Sequence, residues 1–342
     1  MKVGLIGRRG SGKTTIFNML TGLKTDVGHD RRQIHLGVIK VPDQRVDRLA
    51  QILKPKKTTY TEIRFTDFPP SEVSERLRGS TELLSQMHEV DAIALVLCDF
   101  GPEANPFKEL NELMTEMILS DLAVVENRLA RLKKEKGKGQ ESVFLERCHK
   151  ALEDEKSLRS LSFTPEEESV LSGFGFLSRK PVLAIWNIAD ERAGQPLLPA
   201  YEEELRRRGI RGLVLAGKLE LEIAQLNETD REIFLKEIGM EEPARARFIR
   251  ATYELLDLVS FFTTASDEVR AWTIRKGTPA RKAAGKVHSD MEQGFIRAGV
   301  VPYEEFIALG TEAKCREAGK LRLEGKDYVV RDGDIIHFRF NV

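Results

Sequence analysis

An apolar run, Val3 to Ile6, leads into Gly7, four further residues, and then Gly12, Lys13 and Thr14. This G-x-x-x-x-G-K-[ST] spacing, after a strand and before a helix, limits the fold more than any other feature of the chain, because it is how a backbone builds a cradle for phosphate. Glycines at 7, 10 and 12 let the chain turn tightly and approach an anion with no side chain in the way. A helix is predicted from Lys13 to about Leu20, with Gly22 placed to end it. The backbone N–H groups of Gly10, Ser11, Gly12, Lys13, Thr14 and Thr15 then face a bound anion, reinforced by the helix N-terminus. In that arrangement Lys13 is the candidate catalytic residue, reaching the β- and γ-phosphates, and the Thr14 hydroxyl is a ligand for Mg²⁺. The bland alternative is a glycine-rich strand–helix turn that binds nothing.

Strands and helices alternate after this loop. Thr25 to Gln33 is polar and reads as an exposed loop, Ile34 to Val41 as a strand, and Val46 to Leu53 as an amphipathic helix. Tyr60 to Asp67 alternates like a strand and ends in an acidic residue. Asp67 is the expected second anchor for Mg²⁺ through water, or else a strand-end cap. Leu83 to His88 reads as a helix. Asp91–Cys98, Pro181–Asn187 and Leu213–Ala216 are nearly continuous apolar runs, as central parallel strands require. The pattern predicts an α/β fold with a doubly wound, mostly parallel sheet.

Two segments depart from it. Ile118, Leu122, Val125, Leu129 and Leu132 recur at helical spacing, a Lys/Gly run from Lys133 to Gly139 breaks the pattern, and Leu145, Cys148 and Leu152 resume it. This predicts an inserted antiparallel helical hairpin. Its Lys-rich tip is either a solvated turn or a contact for RNA phosphates. Thr164, Pro165 and Glu167 form a capping box for a further helix. From about Phe261 short strands take over: Val269–Ile274 alternates, Pro279–Ala284 reads as a helix, and Leu321–Val342 as a hairpin turning at Arg331–Asp334. That order suggests a small β-grasp module. Arg270, Arg275, Lys276, Arg281, Lys282, Lys286 and Arg297 cluster in its first half, a candidate RNA-facing patch. The predicted domains are 1–110 with 179–260 for the nucleotide, 111–178 for the helical insert, and 261–342 for the β-grasp.

Composition excludes more than it selects. The chain has 54 basic and 54 acidic residues, so global charge indicates neither a nucleic acid nor a membrane, and any basic surface must be local. Cys98, Cys148 and Cys315 are too few and too far apart for a disulfide framework or a zinc site, which fits reduced thiols in a cytoplasm. The loop glycines interrupt any signal-peptide pattern. No apolar run approaches the roughly 20 residues of a membrane span.

The chain resembles the YchF-type Obg-related P-loop nucleotidases, also called Obg-like ATPases. The words that carry this run its full length: the phosphate loop, Val41-Pro-Asp-Gln-Arg-Val-Asp-Arg-Leu49, Ser162-Phe-Thr-Pro-Glu-Glu-Glu168, Lys180-Pro-Val-Leu183, Val269 to Gly277, Gly294-Phe-Ile-Arg-Ala298, and Glu317 through Val342. The resemblance implies a nucleotidase domain, a coiled-coil insert and a TGS-like β-grasp domain. It also implies a cytoplasmic protein that binds ribosomes and hydrolyses ATP, often in preference to GTP, with no membrane or DNA partner. Base recognition falls on Asn187-Ile188-Ala189-Asp190, where the family carries Asn-x-x-Glu. Ile188 replaces the lysine of guanine-specific sites, while Asp190 remains compatible with guanine. The backbone N–H groups of Gly217 and Lys218 fall beside the base.

The switch segments depart from the pattern. The first, His29 to His35, has no threonine for the metal, and the second reads Asp67-Phe-Pro-Pro70, where Pro70 has no N–H to offer a γ-phosphate. Arg31, Arg32 or His35 are candidates to neutralise γ-phosphate charge instead. Two functions follow. One is a slow Mg²⁺-dependent ATPase, possibly using GTP, associated with ribosomes. The other is a hydrolysis-deficient nucleotide-binding adaptor that docks RNA or protein.

Overall fold

The computed structural model describes residues 1–25, 34–69, 81–135, 139–264 and 267–341. The chain packs as two compact units. Met1–Val38 with Arg64–Ala251 form the first, and Ile39–Ile63 with Thr252–Val342 the second.

Among the described residues, twelve strands make two six-stranded sheets. They are β1 (Lys2–Gly7), β2 (His35–Lys40), β3 (Lys57–Thr59), β4 (Glu62–Asp67), β5 (Ala92–Asp99), β6 (Val182–Ile188), β7 (Arg211–Leu215), β8 (Leu258–Thr263), β9 (Glu268–Arg275), β10 (Phe295–Pro302), β11 (Arg322–Glu324) and β12 (Asp334–Phe340). The first sheet has the order β2-β4-β1-β5-β6-β7. Its pairs β1–β4, β1–β5, β5–β6 and β6–β7 are all parallel. β5 and β6 are buried along almost their whole length, which is why they read as apolar runs rather than as alternating strands. Ile6, Ile93, Leu95, Leu97, Val182, Ala184 and Trp186 form the core between this sheet and its helices.

The insert is a helical hairpin. Its first helix, Pro106–Lys134, begins five residues before the predicted boundary and runs unbroken for 29 residues. The second is Gln140–Glu153. Ile118, Val125 and Leu132 meet Leu145, Cys148 and Leu152 in one cluster, which Leu158, Leu171 and Phe176 close. Arg128 grips Glu141 across the pair with two bonds of 2.7 and 2.8 Å. Residues 136–138 of the Lys-rich tip lie outside the described residues. Thr164 and Glu167 form the expected capping box on the Pro165–Leu171 helix.

The hairpin is clasped to the returning chain by Asp121, which is fully buried and accepts from the backbone N–H of Leu177 at 2.8 Å and of Ser178 at 2.7 Å. Burial pushes its carboxyl from the ordinary 3.8 up to about 6, against these hydrogen bonds. A raised folded-state pKa stabilises the fold fully below pH 4, and that contribution is lost as pH rises through 6. The rise corresponds to about 3 kcal/mol. Urea midpoints measured from pH 4 to 7 should therefore fall more steeply for the natural protein than for Asp121→Asn. Parallel profiles would remove Asp121 as the cause.

The second sheet has the order β11-β10-β12-β8-β9-β3. β8 and β9 form an antiparallel hairpin, the Ala280–Val287 helix follows, and β12 returns parallel to β8, which is the β-grasp arrangement. Adjacent residues of β8 point to opposite faces. Phe261 joins Ile274, Ala283, Ala284 and Phe338 on one side, and Phe262 joins Val46, Leu49, Phe306 and Cys315 on the other. The Gln44–Leu53 helix and β3 belong to this unit.

One expectation is corrected here. Leu321–Val342 is not a hairpin. β11 and β12 each pair antiparallel with β10, which lies between them. Arg331–Asp334 does turn, with Asp334 N–H bonding Arg331 O at 3.2 Å and Gly333 at φ 84°. The turn delivers β12 to β10 rather than to β11. Of the basic residues in this module, Lys282 pairs with Glu292 at 2.6 Å, Arg281 donates to the Glu292 carbonyl, and the Arg270 guanidinium lies 4.0 Å from the Trp272 ring centre.

Candidate functional site: a phosphate loop at the carboxyl ends of the parallel strands

Of the site residues expected from the sequence, Asp67, Asn187 and Ile188 lie at the carboxyl ends of strands of the first sheet. Residues 10–15, Asp190, Gly217 and Lys218 follow such ends, whereas His35 opens β2. Ligands of open α/β sheets bind at such ends. β1 ends at Gly7, β4 at Asp67, and β6 carries Asn187 beside Cys98 of β5 and Leu215 of β7.

The loop after β1 has the conformation that its glycines predict. Gly10 and Gly12 are left-handed, at φ 84° and 80°. The Ser11 N–H bonds Arg8 O at 3.2 Å, and the Ile16 N–H bonds Gly12 O at 2.9 Å, which starts the Lys13–Thr21 helix. That helix ends at Gly22 in a left-handed cap. Arg8 is held outside the loop by Glu112 at 2.7 Å.

Lys13 and Asp67 meet in the interior. The Lys13 ammonium donates to Asp67 Oδ1, and the two side chains are 5% and 2% exposed. A lone buried ammonium or carboxylate is costly, so each neutralises the other. The residue after Asp67 is an anchor: Phe68 is fully buried and its N–H bonds Leu5 O at 3.1 Å. Pro70, Arg31 and Arg32 lie outside the described residues. His35 opens β2, its ring 6.3 Å from Phe17.

Asn187 ties two loops together. Its Nδ2 donates to Ser11 O at 2.8 Å and its Oδ1 accepts from Gly217 N–H at 2.9 Å. The fit is close: a Cβ on Gly12 would stand 2.1 Å from Asn187 Nδ2, and one on Gly217 would stand 2.8 Å from Oδ1. Both ends of the amide are spent on backbone, so Asn187 fixes the distance between the phosphate loop and the 216–218 loop. Ile188 is buried. Asp190 Oδ1 accepts from Leu219 N–H at 3.2 Å, and the Lys218 ammonium lies 3.8 Å from Oδ2. Gly217 and Lys218 open the Gly217–Ile223 helix.

Two features had no signal in the sequence reading. Phe100 is an aromatic residue 36% exposed beside Gly12, with its ring 4.0 Å from where a Cβ on Gly12 would lie. It follows an ordinary apolar strand and so looked like the strand's end. The other is the buried Glu220 paired with the half-buried Arg247, behind the 216–218 loop.

Among the described residues no group of three or more His, Cys, Asp or Glu is placed to hold a metal. Thr14 and Asp67 offer one hydroxyl and one carboxylate. That oxygen set suits Mg²⁺, which keeps several waters and takes further oxygens from phosphates.

A left-handed glycine loop between a parallel strand and a helix, with a lysine and a strand-end aspartate behind it, defines a P-loop fold of the nucleotidase class. Residues 258–341 match the YchF-GTPase_C family, described as a "Protein of unknown function (DUF933)". The "Ribosome-binding ATPase YchF" of Bacillus subtilis (strain 168) is 36% identical over 365 residues, covering all of both chains. That of Escherichia coli O157:H7 is 36% identical over 366 residues, covering 100% of this chain and 99% of its own. The structure of the Schizosaccharomyces pombe YchF GTPase superposes with a TM-score of 0.79 at 26% identity, over 99% of this chain and 97% of the other. The chain belongs to the YchF family of Obg-like P-loop proteins.

Proposed function

We propose that this chain is a slow, Mg²⁺-dependent nucleoside triphosphate hydrolase of the cytoplasm that favours ATP, accepts GTP, binds ribosomes and acts in translation or its regulation under stress. The observation that carries it is the formed phosphate loop with Lys13 and Asp67 buried against each other at its mouth. The names borne by its bacterial relatives support the ATPase and ribosome parts of the reading. No helix among the described residues is long and apolar enough to cross a membrane.

In this reading the N–H groups of Gly10, Gly12, Lys13, Thr14 and Thr15 bind the phosphates, the Ser11 N–H being taken by Arg8 O, and Lys13 leaves Asp67 to stabilise charge on the transferred group. Thr14 and Asp67 would hold Mg²⁺, which would supply positive charge to neutralise the phosphates. The Gly217 N–H, expected beside the base, is taken by Asn187 Oδ1, so the Lys218 N–H faces the base, Asn187 and Ile188 shape its slot, and the Phe100 ring offers a face to the purine.

Guanine needs both oxygens of an aspartate to accept from its ring edge. Asp190 has already engaged Leu219 and Lys218. ATP is therefore favoured, and Asp190→Asn should change ATP affinity less than about threefold. A loss of GTP affinity of about 100-fold in that variant, by titration, would show that Asp190 reads guanine after all.

The altered switch segments favour the adaptor reading: residues 29–35 hold no threonine for the metal, and Pro70 has no N–H to offer a γ-phosphate. The ribosome half is tested by sedimentation. Co-sedimentation with ribosomes that changes between ATP and ADP supports a nucleotide-controlled ribosome partner. Absence from the ribosomal pellet in every nucleotide state contradicts it.

A further inference from the structure

The loop at 216–218 is held from in front by Asn187 and Asp190. Behind it lies a second set of contacts. Glu220, 3% exposed, accepts from Arg247 Nη2. The other arm of Arg247, Nη1, donates to Val214 O at 2.8 Å on β7. One guanidinium on the Ala244–Leu255 helix thus holds both the strand that enters the loop and the helix that leaves it. The carboxylate it pairs with lies in the first turn of the helix that leaves the loop.

A buried ion pair is a poor source of stability, since well-packed apolar residues of the same volume commonly do as well or better. Its value is geometric: it fixes the backbone on either side of three residues that Asn187 and Asp190 hold from the other side. Gly217 packs closely, since a Cβ there would stand 2.7 Å from Ile16 Cδ1, so the loop has little room to move toward Ile16.

We propose that Arg247, through Glu220, is a positioning residue for the nucleotide base: it sets the Ala216–Lys218 loop and so controls base affinity without acting on the phosphates. The inference rests on the nucleoside triphosphate reading of the site. Arg247 and Glu220 touch no phosphate-loop residue by any of these bonds, so a ligand consisting of phosphate alone should not register their loss.

The test compares ATP with inorganic tripolyphosphate, each with Mg²⁺, as competitors of a fluorescent nucleotide. In Arg247→Met/Glu220→Gln, which leaves no uncompensated buried charge, ATP affinity falls about tenfold, tripolyphosphate affinity changes less than twofold, and turnover at saturating ATP is kept. Arg247→Lys, which keeps a charge for Glu220 but not the second bond to Val214, falls between the two, and it decides the matter alone if the double variant does not fold. Equal loss for ATP and tripolyphosphate, or no loss of ATP affinity in a folded variant, overturns the proposal. Natural protein that binds neither ligand would instead sink the nucleotide reading on which the proposal stands.

Discussion

Lys13→Ala abolishes turnover, with phosphate release falling by about 10²–10³-fold, the scale for removing one preorganised charge from a transition state. The same substitution lowers the stability of the nucleotide-free protein, for an unrelated reason. Asp67 is 2% exposed and loses the ammonium that compensates it. Breaking a buried pair from one side costs about 3–5 kcal/mol. The two effects separate in Lys13→Ala/Asp67→Asn, where the unpaired charge is gone: urea stability recovers and phosphate release does not. A variant whose turnover recovers together with its stability would mean that Lys13 is a structural residue only.

Gly12→Ala is the second large effect, and Gly10→Ala is its control. Both positions are left-handed, at φ 80° and 84°, so an added methyl costs each about 1–2 kcal/mol of backbone strain. They differ in what the methyl meets. Nothing lies within 4 Å at Gly10, while at Gly12 it would stand 2.1 Å from Asn187 Nδ2. Relieving that clash pushes Asn187 off Ser11 O and Gly217 N–H, and both loops move with it. Displacement of ligand-positioning groups by about 1 Å costs on the order of 10²-fold. Titration with ATP should show roughly that loss for Gly12→Ala and a much smaller one for Gly10→Ala. Equal losses would mean that strain alone matters and that Asn187 is not the tie between the loops.

What could be read from the sequence was local. The phosphate loop, the continuous apolar strands β5 and β6 and the capping box at Thr164 each depend on residues within a few positions of one another, and each stands where its pattern put it. Pairings between distant residues could not be read. Leu321–Val342 has the composition of a hairpin, but β10, a strand some twenty residues earlier, takes the place between its two halves. β3 is three residues long and shows no period, and its partner β9 lies two hundred residues on.

The site divides in the same way. Asn187 and Asp190 were found by motif, yet the use of the Asn187 amide as a tie between Ser11 and Gly217 is a three-dimensional fact with no local trace. Glu220 and Arg247 look like solvent-facing charges on two short helices, because only the packing of those helices buries them together. Phe100 became noticeable only when its ring was seen beside Gly12.

The central claim, that the loop binds and cleaves a nucleoside triphosphate, is tested most directly by phosphate release from ATP by nucleotide-free protein, with and without ribosomes, alongside Lys13→Ala. Slow release by the natural protein, absent in the variant, is the result expected. Tight ATP binding with no release above that of Lys13→Ala, even with ribosomes present, would contradict it and leave a nucleotide-stabilised adaptor.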